Sequence, residues 1–334
     1  MAVTIRDVAR LAGVDPGTVS RALTRPGLVN DATRLRVLQA VRDAGYVPNA
    51  SARAVRRGGT GSIALVVLDI GNPFFTELTS AVESCAQESG RLVDLFSSGA
   101  DARREERVLE HVLQLRPDGV VVMPLDPEHP LLHRMSATGT PVVVLGHRVR
   151  RNRLSSVRGD EGCSGREVAR HLVELGHRRV LLAGPLETPR LAGARRALTA
   201  ASATAELRIT GRAGLQDGRA VGETVAGTPA RRRPTAVFCN NDMMALGLLQ
   251  FARERHIRVP EDLAVVGYDD TALASAASGV GLTSVRTPPE RIGAAAVRLL
   301  SEEAAGVQAR RDVVVRPRLH VRASTVGQPP VRSR

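Results

Sequence analysis

The first 46 residues show short apolar faces at helical spacing, separated by turn residues. In the run 5–12 the apolar positions recur at i, i+3, i+4 and i+7, which predicts an amphipathic helix. Gly13 ends this helix, Asp15-Pro16 begin a second one, and a third is expected from about residue 30 to residue 45. Helices this short are not stable alone. The pattern therefore predicts a bundle of three helices that bury their apolar faces together.

The pattern changes after residue 61. Fully apolar runs such as ALVVL and GVVVM alternate with stretches at helical spacing, which is typical of parallel strands covered by helices on both faces. Two successive runs of this kind, each roughly 100 residues long, predict two doubly wound lobes with a cleft between them. Strands are expected at 63–68, 92–96, 119–123, 142–145, 180–182, 236–239, 263–266 and near 312–321. Helices are expected near 75–89, 102–115, 129–137, 161–175, 190–203, 217–226, 242–255 and 289–304.

Composition narrows the class of protein. The 334 residues are 43% hydrophobic but only 2% aromatic, without Trp, so the core is expected to consist of Ala, Val and Leu. Cys85, Cys163 and Cys239 lie far apart, which favours reduced thiols, a cytoplasmic location and no zinc site. No apolar run approaches the roughly 18 residues of a membrane span, and the start lacks the apolar core of a signal peptide. We expect no contact with a membrane.

The sequence contains few of the motifs that enzymes use. All 47 basic residues are arginine, and the absence of lysine excludes the usual P-loop and any Schiff base. A GxSxG motif is absent as well. His129 and His133 have the helical spacing of metal ligands, but the stretch PEHPLLHR offers no third ligand, so exposed side chains are the simpler interpretation. The sequence predicts no enzyme activity, no cofactor and no metal.

Positive charge is concentrated at the front of the chain. Of a net charge of +13, residues 1–61 contribute ten arginines against four acids. A head that binds a polyanion, attached to a less charged body, explains this asymmetry. The alternative is that an arginine-rich composition raises the charge everywhere.

Two short helices joined by a glycine-containing turn, with a third packed across them, form a helix-turn-helix. Its second helix can enter the major groove of DNA, where Arg21 fits the two acceptors of a guanine edge. The alternative is that its polar side chains are the ordinary solvated surface of a small bundle. The candidate DNA contacts of this head are Thr4, Pro16, Gly17, Thr18, Ser20 and Arg21.

Several long motifs, in order, are similar to one known family. TIRDVARLAGVDPGTVSRAL and GYVPN are followed by DIGNPFF, RPDGVVVMP, LGHRRV, RLAG, PTAVFCNNDMMALG, VPEDLAVVGYDD and LTSVRTP. Along residues 2–325 the chain thereby resembles the LacI/GalR family of bacterial transcription regulators. The resemblance implies an N-terminal all-α helix-turn-helix headpiece and an α/β two-lobed, periplasmic-binding-protein-like core with two doubly wound parallel sheets.

The same resemblance implies a regulator, most commonly a repressor, of pseudo-palindromic double-stranded operator DNA. A small effector in the cleft, a sugar or sugar derivative, would control operator affinity. A homodimer is implied, while the missing C-terminal heptad argues against a coiled-coil tetramer. The alternative from another class is a solute-binding or sugar-processing protein without a regulatory role, against which the missing signal peptide and the helix-turn-helix count.

The resemblance also divides the chain. Residues 1–46 are expected to form the headpiece, 47–61 a hinge helix or linker, and 62–334 the effector-binding and dimerisation core. Within the core, the first lobe is expected at about 62–159 and 285–317. The second lobe is expected at about 160–284 and 318–326.

Two positions depart from the family in the DNA-binding part. Pro16-Gly17 stand where members often carry a base-reading pair, and neither has a polar side chain, so more of the sequence discrimination is expected from Arg21. Val55 stands where a leucine commonly wedges into the minor groove; it remains apolar and can partly unstack a base step, or it is a spacer. The candidate hinge contacts are Asn49, Ala52, Arg53 and Val55.

The family's effector site carries over to named positions. Arg190 and Asp269 match a pair that binds hydroxyl groups, with Asn241 as an amide partner. Plainer alternatives are that Arg190 pairs with an acid, that Asp269 belongs to a turn or cap, and that Phe75 is core packing. The candidate effector-binding residues are Phe74, Phe75, His147, Arg190, Leu215, Asn241, Asp269 and Thr287.

Two departures in this pocket bear on the effector. Leu215 falls near the place where several members have an aromatic residue that stacks on a sugar. Gly146 replaces an acid that some members carry at the end of the strand. Both changes argue against a simple galactoside-like effector.

Overall fold

The computed structural model describes residues 3–47, 59–149, 153–277, 279–307 and 311–327. These residues belong to two compact units, Met1–Gly61 and Ser62–Arg334. The smaller unit is called the head below, and the larger unit the body.

The head is a helical bundle, as predicted. It contains α1 (Ile5–Ala12), α2 (Pro16–Thr24) and α3 (Asp31–Asp43), with a 3-10 turn at Pro26–Leu28. Only small aliphatic side chains form its buried core, so the helices can approach closely. They are Val8, Ala9, Ala12, Val19, Ala22, Val37 and Ala40.

Local chemistry sets the helix ends in the head. Gly13 adopts a φ of 64°, the left-handed conformation that ends α1. Asp15 caps α2 by accepting the Thr18 N–H at 3.0 Å. Asn30 caps α3 in the same way, accepting the Thr33 N–H at 2.8 Å. These caps and the shared core compensate for the shortness of the helices.

The described residues of the body contain two six-stranded sheets. In chain order the strands are β1 (Ser62–Val67), β2 (Leu92–Ser97), β3 (Gly119–Val122), β4 (Val142–Leu145), β5 (Ser155–Gly159), β6 (Arg179–Gly184), β7 (Thr204–Ile209), β8 (Ala236–Cys239), β9 (Ala264–Tyr268), β10 (Thr283–Arg286), β11 (Asp312–Val315) and β12 (Arg318–His320). The first sheet has the order β11-β5-β4-β3-β1-β2, and the second has the order β12-β10-β9-β8-β6-β7.

Helices cover both faces of each sheet. They are α4 (Pro73–Glu88), α5 (Ala102–Leu115), α6 (Pro130–Ala137), α7 (Glu161–Glu174), α8 (Pro189–Ala200), α9 (Leu215–Gly227), α10 (Asp242–Glu254), α11 (Ala272–Ala277), α12 (Pro289–Ala304) and α13 (Ala323–Val326). Strand β1 shows how the layers form: Ile63 and Leu65 pack with α4 and α12, while Ala64 and Val66 pack with α5 and α6. In the second sheet, α7 and α8 cover one face, and α9 and α10 cover the other.

The chain passes between the two lobes three times. The passages follow β5, β10 and β11, because α12 and β11 return to the first lobe before β12 completes the second. We expected the second passage at about residue 285. Val285 and Arg286 still pair with β12 in the second sheet, so this passage follows Arg286.

The predicted two-lobed α/β core with two doubly wound, mainly parallel sheets is confirmed, with one antiparallel strand pair. β12 runs antiparallel to β10, whereas the other strand pairs are parallel. Strands β5, β7 and β10 were not expected at all. Among the described residues, no helix combines the length and apolar character needed to cross a lipid bilayer.

Candidate functional site

Helix α2 carries the candidate base-reading surface of the head. Val19 and Ala22 are buried in the bundle, whereas Pro16, Gly17 and Arg21 are exposed. Thr18 and Ser20 are partly buried beside them. The polar and apolar residues of α2 therefore lie on different faces, and the outer face is free of large side chains except for Arg21.

Thr4 has a local role at the start of α1. Its backbone N–H and its hydroxyl both donate to Asp7 Oδ2, at 3.0 and 2.7 Å. These hydrogen bonds lower the pKa of the Asp7 carboxyl. The arrangement is a capping box, which stabilises the helix end. A contact between Thr4 and DNA stays a prediction.

The candidate hinge contacts Asn49, Ala52, Arg53 and Val55 lie outside the residues that the structure describes.

Candidate effector residues of the body follow the carboxyl ends of parallel strands. Arg190 lies after β6, Asp269 directly after β9, and Thr287 directly after β10. Asn72, after β1 of the first lobe, donates through Nδ2 to Asp269 Oδ2 at 3.2 Å. The carboxyl edges of the two sheets therefore face each other here, which is the usual place for a ligand in such folds.

Arg190 is almost fully engaged by protein groups. It forms an ion pair with Glu161 and donates through Nη1 to the Asn240 carbonyl at 2.9 Å. Its guanidinium carbon lies 3.5 Å from the centroid of the Tyr268 ring, a cation–π contact. Its Nε is buried without a hydrogen-bond partner in the described structure. The alternative considered from sequence, pairing with an acid, is observed.

Glycines bring Glu161 and Arg190 together. A Cβ on Gly165 of α7 would lie 1.9 Å from the Arg190 carbonyl oxygen, and one on Gly193 of α8 would lie 2.5 Å from the Gly162 carbonyl oxygen. Helices α7 and α8 therefore cross at backbone contact, and their amino ends meet. This crossing places the Glu161 carboxylate beside the guanidinium.

Asp269 is the buried acid of the site. It is 6% exposed, and its φ of 102° is unusual for a residue with a side chain. Burial raises the pKa of its carboxyl to about 8, and the nearby Asp242 carboxylate adds to this, whereas Arg190 acts against it. A hydroxyl or cationic donor from a ligand would compensate for this buried carboxyl.

Tyr268 connects the site residues. Its hydroxyl lies 3.2 Å from Thr287 Oγ1 and 3.4 Å from Ser164 Oγ. Its ring makes the cation–π contact with Arg190. Burial raises the pKa of this phenol above its ordinary value. Arg190, Asp269 and Thr287 are thus brought together around one tyrosine.

A second buried acid lies behind the site. Asp242, at the start of α10, accepts from Ser284 Oγ at 2.6 Å and from the Thr271 N–H at 2.8 Å. Burial raises its pKa to about 7, against the effect of these hydrogen bonds. Asp242 therefore ties α10 to the segment after β9 and to strand β10.

The two lobes also meet beside the cleft through Glu77 of α4. Its Oε1 accepts the Ala272 N–H at 3.2 Å, and its Oε2 lies 3.3 Å from Arg286 Nη1. Arg286 Nη1 also donates to the Asp270 carbonyl at 3.1 Å. One first-lobe carboxylate is therefore held by two elements of the second lobe.

Comparison with known proteins identifies the chain. A model of the lacI family of bacterial regulatory proteins matches residues 4–49, and one of the periplasmic binding protein-like domain matches residues 169–325. The HTH-type transcriptional regulator DegA of Bacillus subtilis is 33% identical, over 97% of this chain and 98% of DegA. The chain belongs to the LacI family.

Solved structures agree with this assignment. A complex of the transcriptional regulator CelR with cellobiose is 32% identical, with a TM-score of 0.69, covering 96% of this chain and 99% of that one. The lac repressor dimer bound to operator and the anti-inducer ONPF is 27% identical, with a TM-score of 0.81, covering 98% of this chain and 100% of that one. The LacI-family resemblance seen in the sequence is confirmed. The protein is a DNA-binding transcriptional regulator and not an enzyme.

Other predicted residues of this LacI-family body have different surroundings. Asn241 caps α10 by accepting the Met244 N–H at 3.0 Å. Phe74 and Phe75 belong to the first-lobe core, their ring centroids 5.3 Å apart in an edge-to-face pair. His147 is partly exposed just after β4, at the carboxyl edge of the first sheet.

Leu215 does not join the group around Arg190. It is 42% exposed at the start of α9 and lines a separate cavity of about 480 Å³ with residues of α10 and α11, among them Met243, Leu246 and Leu273. The structure therefore does not support the alignment that matched Leu215 to the sugar-stacking aromatic residue of other family members.

His129 and His133 have protein partners. His129 Nε2 lies 3.4 Å from Glu106, and His133 Nε2 lies 3.3 Å from Glu128. Within the described ranges no group of three or more His, Cys, Asp or Glu side chains could hold a metal ion.

Sequence reasoning missed Glu161, Tyr268, Asn72 and Glu77. Tyr268 was available in the quoted motif GYDD, and Asn72 in DIGNPFF, where it precedes a proline as a helix cap does. Glu161 and Glu77 carried no such signal, because an acid in the first turn of a helix is common for reasons of helix stability alone.

Proposed function

We propose that this regulator is a repressor, acting in the cytoplasm as a homodimer on a pseudo-palindromic operator. A carbohydrate effector in the interlobe cleft changes its operator affinity. One observation carries the proposal. Arg190 and Asp269 of the second lobe can bind a polar ligand, and Asp269 already forms a hydrogen bond with Asn72 of the first lobe.

The chemistry of the cleft supports a sugar or sugar derivative. A buried carboxyl and a guanidinium side by side accept and donate hydrogen bonds to hydroxyl groups, and Tyr268 adds an apolar ring. The related regulator CelR was solved with cellobiose. Because Leu215 lies elsewhere and Gly146 carries no acid, the effector is a different sugar class from a simple galactoside.

The link to DNA is mechanical. A ligand that binds Asp269 competes with Asn72 for the same carboxyl, so it shifts the balance between arrangements of the two lobes. This shift in lobe arrangement then changes how the heads of the homodimer bind the operator. This is allostery through a lobe shift.

Two exposed apolar surfaces of the body support a homodimer. Leu92 and Leu95 are exposed on the edge strand β2, and Leu273 is exposed beside the cavity that Leu215 lines. Each half of a palindrome needs its own head, and the related lac repressor was solved as a dimer on operator. Leu273→Asp is expected to give monomers in sedimentation analysis, whereas Leu186→Asp, at another exposed leucine, is not. Dimers of both variants would contradict this surface.

A mobility-shift experiment tests regulation by sugars. DNA from upstream of the protein's own gene is titrated with the full chain at low salt, with and without ribose, glucose and cellobiose. We expect a shifted band that one neutral sugar weakens or strengthens. Failure to bind any palindrome at low salt would overturn the repressor proposal.

A thermal-shift screen tests the effector separately. A ligand that binds only the folded body raises its melting temperature by mass action. We expect a neutral sugar to raise it in the wild type and not in Asp269→Ala. Stabilisation by another metabolite class, with none from sugars, would refute the carbohydrate effector while leaving DNA binding intact.

A further inference from the structure

Asp15 begins a chain of hydrogen bonds that ends at the exposed arginine of α2. One carboxylate oxygen accepts the Thr18 N–H at 3.0 Å, and the other accepts the Thr18 hydroxyl. Thr18 Oγ1 in turn accepts from Arg21 Nη2 at 3.0 Å. Arg21 Nη2 lies 3.9 Å from Asp15 Oδ2. Three consecutive positions of one helical face are therefore connected.

The direction of these bonds is fixed. A threonine hydroxyl has one proton, which Thr18 gives to the Asp15 carboxylate, so its lone pairs face the Arg21 guanidinium. The Thr18 hydrogen bonds also lower the pKa of the Asp15 carboxyl, with Arg21 a smaller contribution. Asp15 is therefore ionised at neutral pH, and it orients Arg21 through Thr18.

The neighbouring Gly17 fits this arrangement. A Cβ at position 17 would lie 2.7 Å from Asp15 Oδ1, so a larger residue would displace the carboxylate from its hydrogen bonds. The absence of a side chain at this usual base-reading position thus coincides with a carboxylate held in place next to it.

A carboxylate at this place affects all DNA alike. In a helix-turn-helix the amino end of the recognition helix enters the major groove, between two rows of phosphates. The negative charge of Asp15 is repelled by these phosphates whatever the base sequence, whereas a base contact by Arg21 is gained only at the correct site. The repulsion cancels in the ratio of specific to non-specific binding. This ratio rises because Asp15, through Thr18, holds Arg21 ready for its base contact.

We propose that Asp15 is a specificity-determining residue of this head: it positions Arg21 through Thr18 for its base contact, while its negative charge weakens binding to DNA of every sequence. The proposal rests on the operator-binding repressor function proposed above. Asp15 is thus an acid with a role in DNA binding on a unit whose net charge is positive.

The experiment compares Asp15→Asn with Asp31→Asn in the full chain. Asp31, at the start of α3, also pairs with an arginine of the head and is more exposed, so both variants remove one negative charge from the same unit. Asparagine is itself a good helix cap, so α2 keeps its start. The probes are a random-sequence 30-base-pair duplex and a palindrome isolated from a random pool by the wild type, each titrated over a series of KCl concentrations.

We expect Asp15→Asn to bind the random duplex about 3- to 10-fold more tightly than Asp31→Asn does at low salt, because binding to DNA of any sequence is electrostatic. The preference for the palindrome over the random duplex should fall by about tenfold, in the range of a single lost base contact. In an Arg21→Gln background, Asp15→Asn should no longer reduce this preference.

Equal affinities of Asp15→Asn and Asp31→Asn for the random duplex, with an unchanged preference for the palindrome, would overturn the proposal. So would a parallel loss on both DNAs, which marks Asp15 as a helix cap alone. A wild type that enriches no sequence from the pool contradicts the repressor function instead, so the two failures are distinguishable.

Discussion

The Arg190 guanidinium is the most constrained charged group among the described residues of the cleft. Glu161 neutralises it, the Asn240 carbonyl accepts a hydrogen bond from its Nη1, and the Tyr268 ring packs against it. The side chains of both ion-pair partners are less than one fifth exposed. Breaking a buried pair by removing one partner leaves an uncompensated charge, which costs far more than the pair gains.

Glu161→Gln is therefore expected to destabilise the body by about 3 kcal/mol, because it leaves the Arg190 charge buried without its carboxylate. Denaturant unfolding of the body transition measures this. The matched control is Glu187→Gln in the loop before α8, whose partner Arg195 is 48% exposed and lies 2.7 Å away. A half-exposed pair contributes less than about 1 kcal/mol. Equal destabilisation by the two variants would show that the Arg190–Glu161 pair is as weak as a surface pair.

Asp269 makes stability depend on pH. Its pKa is about 8 in the folded body and about 3.9 in an unfolded chain, so between these values the folded state holds a proton that the unfolded state has lost. Stability is therefore highest at the acidic end of this window and falls as the pH rises from about 4 to about 8. The thermal midpoint of the wild type should fall more between pH 5 and pH 8 than that of Asp269→Asn.

Asp312 provides a control of opposite sign. Burial alone would raise the pKa of Asp312. Hydrogen bonds from Arg158 and Ser156 nevertheless hold this pKa below its ordinary value. Its contribution is present above pH 4 and is lost on acidification, so Asp312→Asn should reduce stability at pH 5 and pH 8 alike. A wild-type midpoint that changes in parallel with Asp269→Asn would contradict the assigned pKa of Asp269.

At the scale of elements, the crossing of α7 and α8 places the site. Gly165 and Gly193 allow backbone contact, and without this contact the amino ends of the two helices could not bring Glu161 to Arg190. Other helices of the body that pack through larger side chains leave more space between their axes.

Gly165→Ala is expected to lower the thermal midpoint of the body, because a methyl group 1.9 Å from the Arg190 carbonyl forces the helices apart. Overpacking of this kind costs about 1–3 kcal/mol. Gly227→Ala, at the end of α9 with no atom within 4 Å of the new Cβ, should leave the midpoint unchanged or slightly higher. If the two alanine variants melt together, α7 and α8 can separate without cost.

The sequence predicted strands with dense apolar runs and missed β5, β7 and β10, in which at least half of the residues are polar. Strands such as β3, with four buried residues, give an uninterrupted apolar run. The missed strand β7 lies at a sheet edge with polar, exposed residues, and β5 contains two buried serines whose hydroxyls bind Glu303 and Asp312. Pairing with a neighbouring strand, which no local pattern records, is what makes these segments strands.

The candidate site was predictable to the same extent. Arg190 lies in the short motif RLAG and Asp269 in the long motif VPEDLAVVGYDD, and the two residues do come together. Leu215 was placed by a loose alignment across a variable loop and lies in another cavity. Glu161 meets Arg190 because the successive helices α7 and α8 cross closely, and the pattern of neither segment alone records this crossing.

For the body as a whole, the bridges between its lobes are polar. Asn72–Asp269 and the contacts of Glu77 with Ala272 and Arg286 are hydrogen bonds and ion pairs at surfaces that water can reach on opening. Such contacts can break and re-form at modest cost, unlike the apolar cores within each lobe.

Glu77→Ala should therefore increase amide hydrogen exchange at the Ala272 N–H, which donates to Glu77 across the lobes. Exchange in the buried strand β9 should not change. Glu83→Ala, an exposed residue of the same helix α4, is the control. Faster exchange at Ala272 in both variants, or in neither, would show that Glu77 does not hold the two lobes together.

The three passages of the chain between the lobes have a consequence for synthesis. The head is complete in sequence by residue 61, but the first lobe lacks α12 and the sheet partner β11 until residue 315 has been made. The second lobe lacks β12 and α13 even longer. Domains fold in order as they emerge from the ribosome, so the DNA-binding unit is ready before either half of its control unit. A chain interrupted after β10 would carry an intact head on a body with both lobes unfinished.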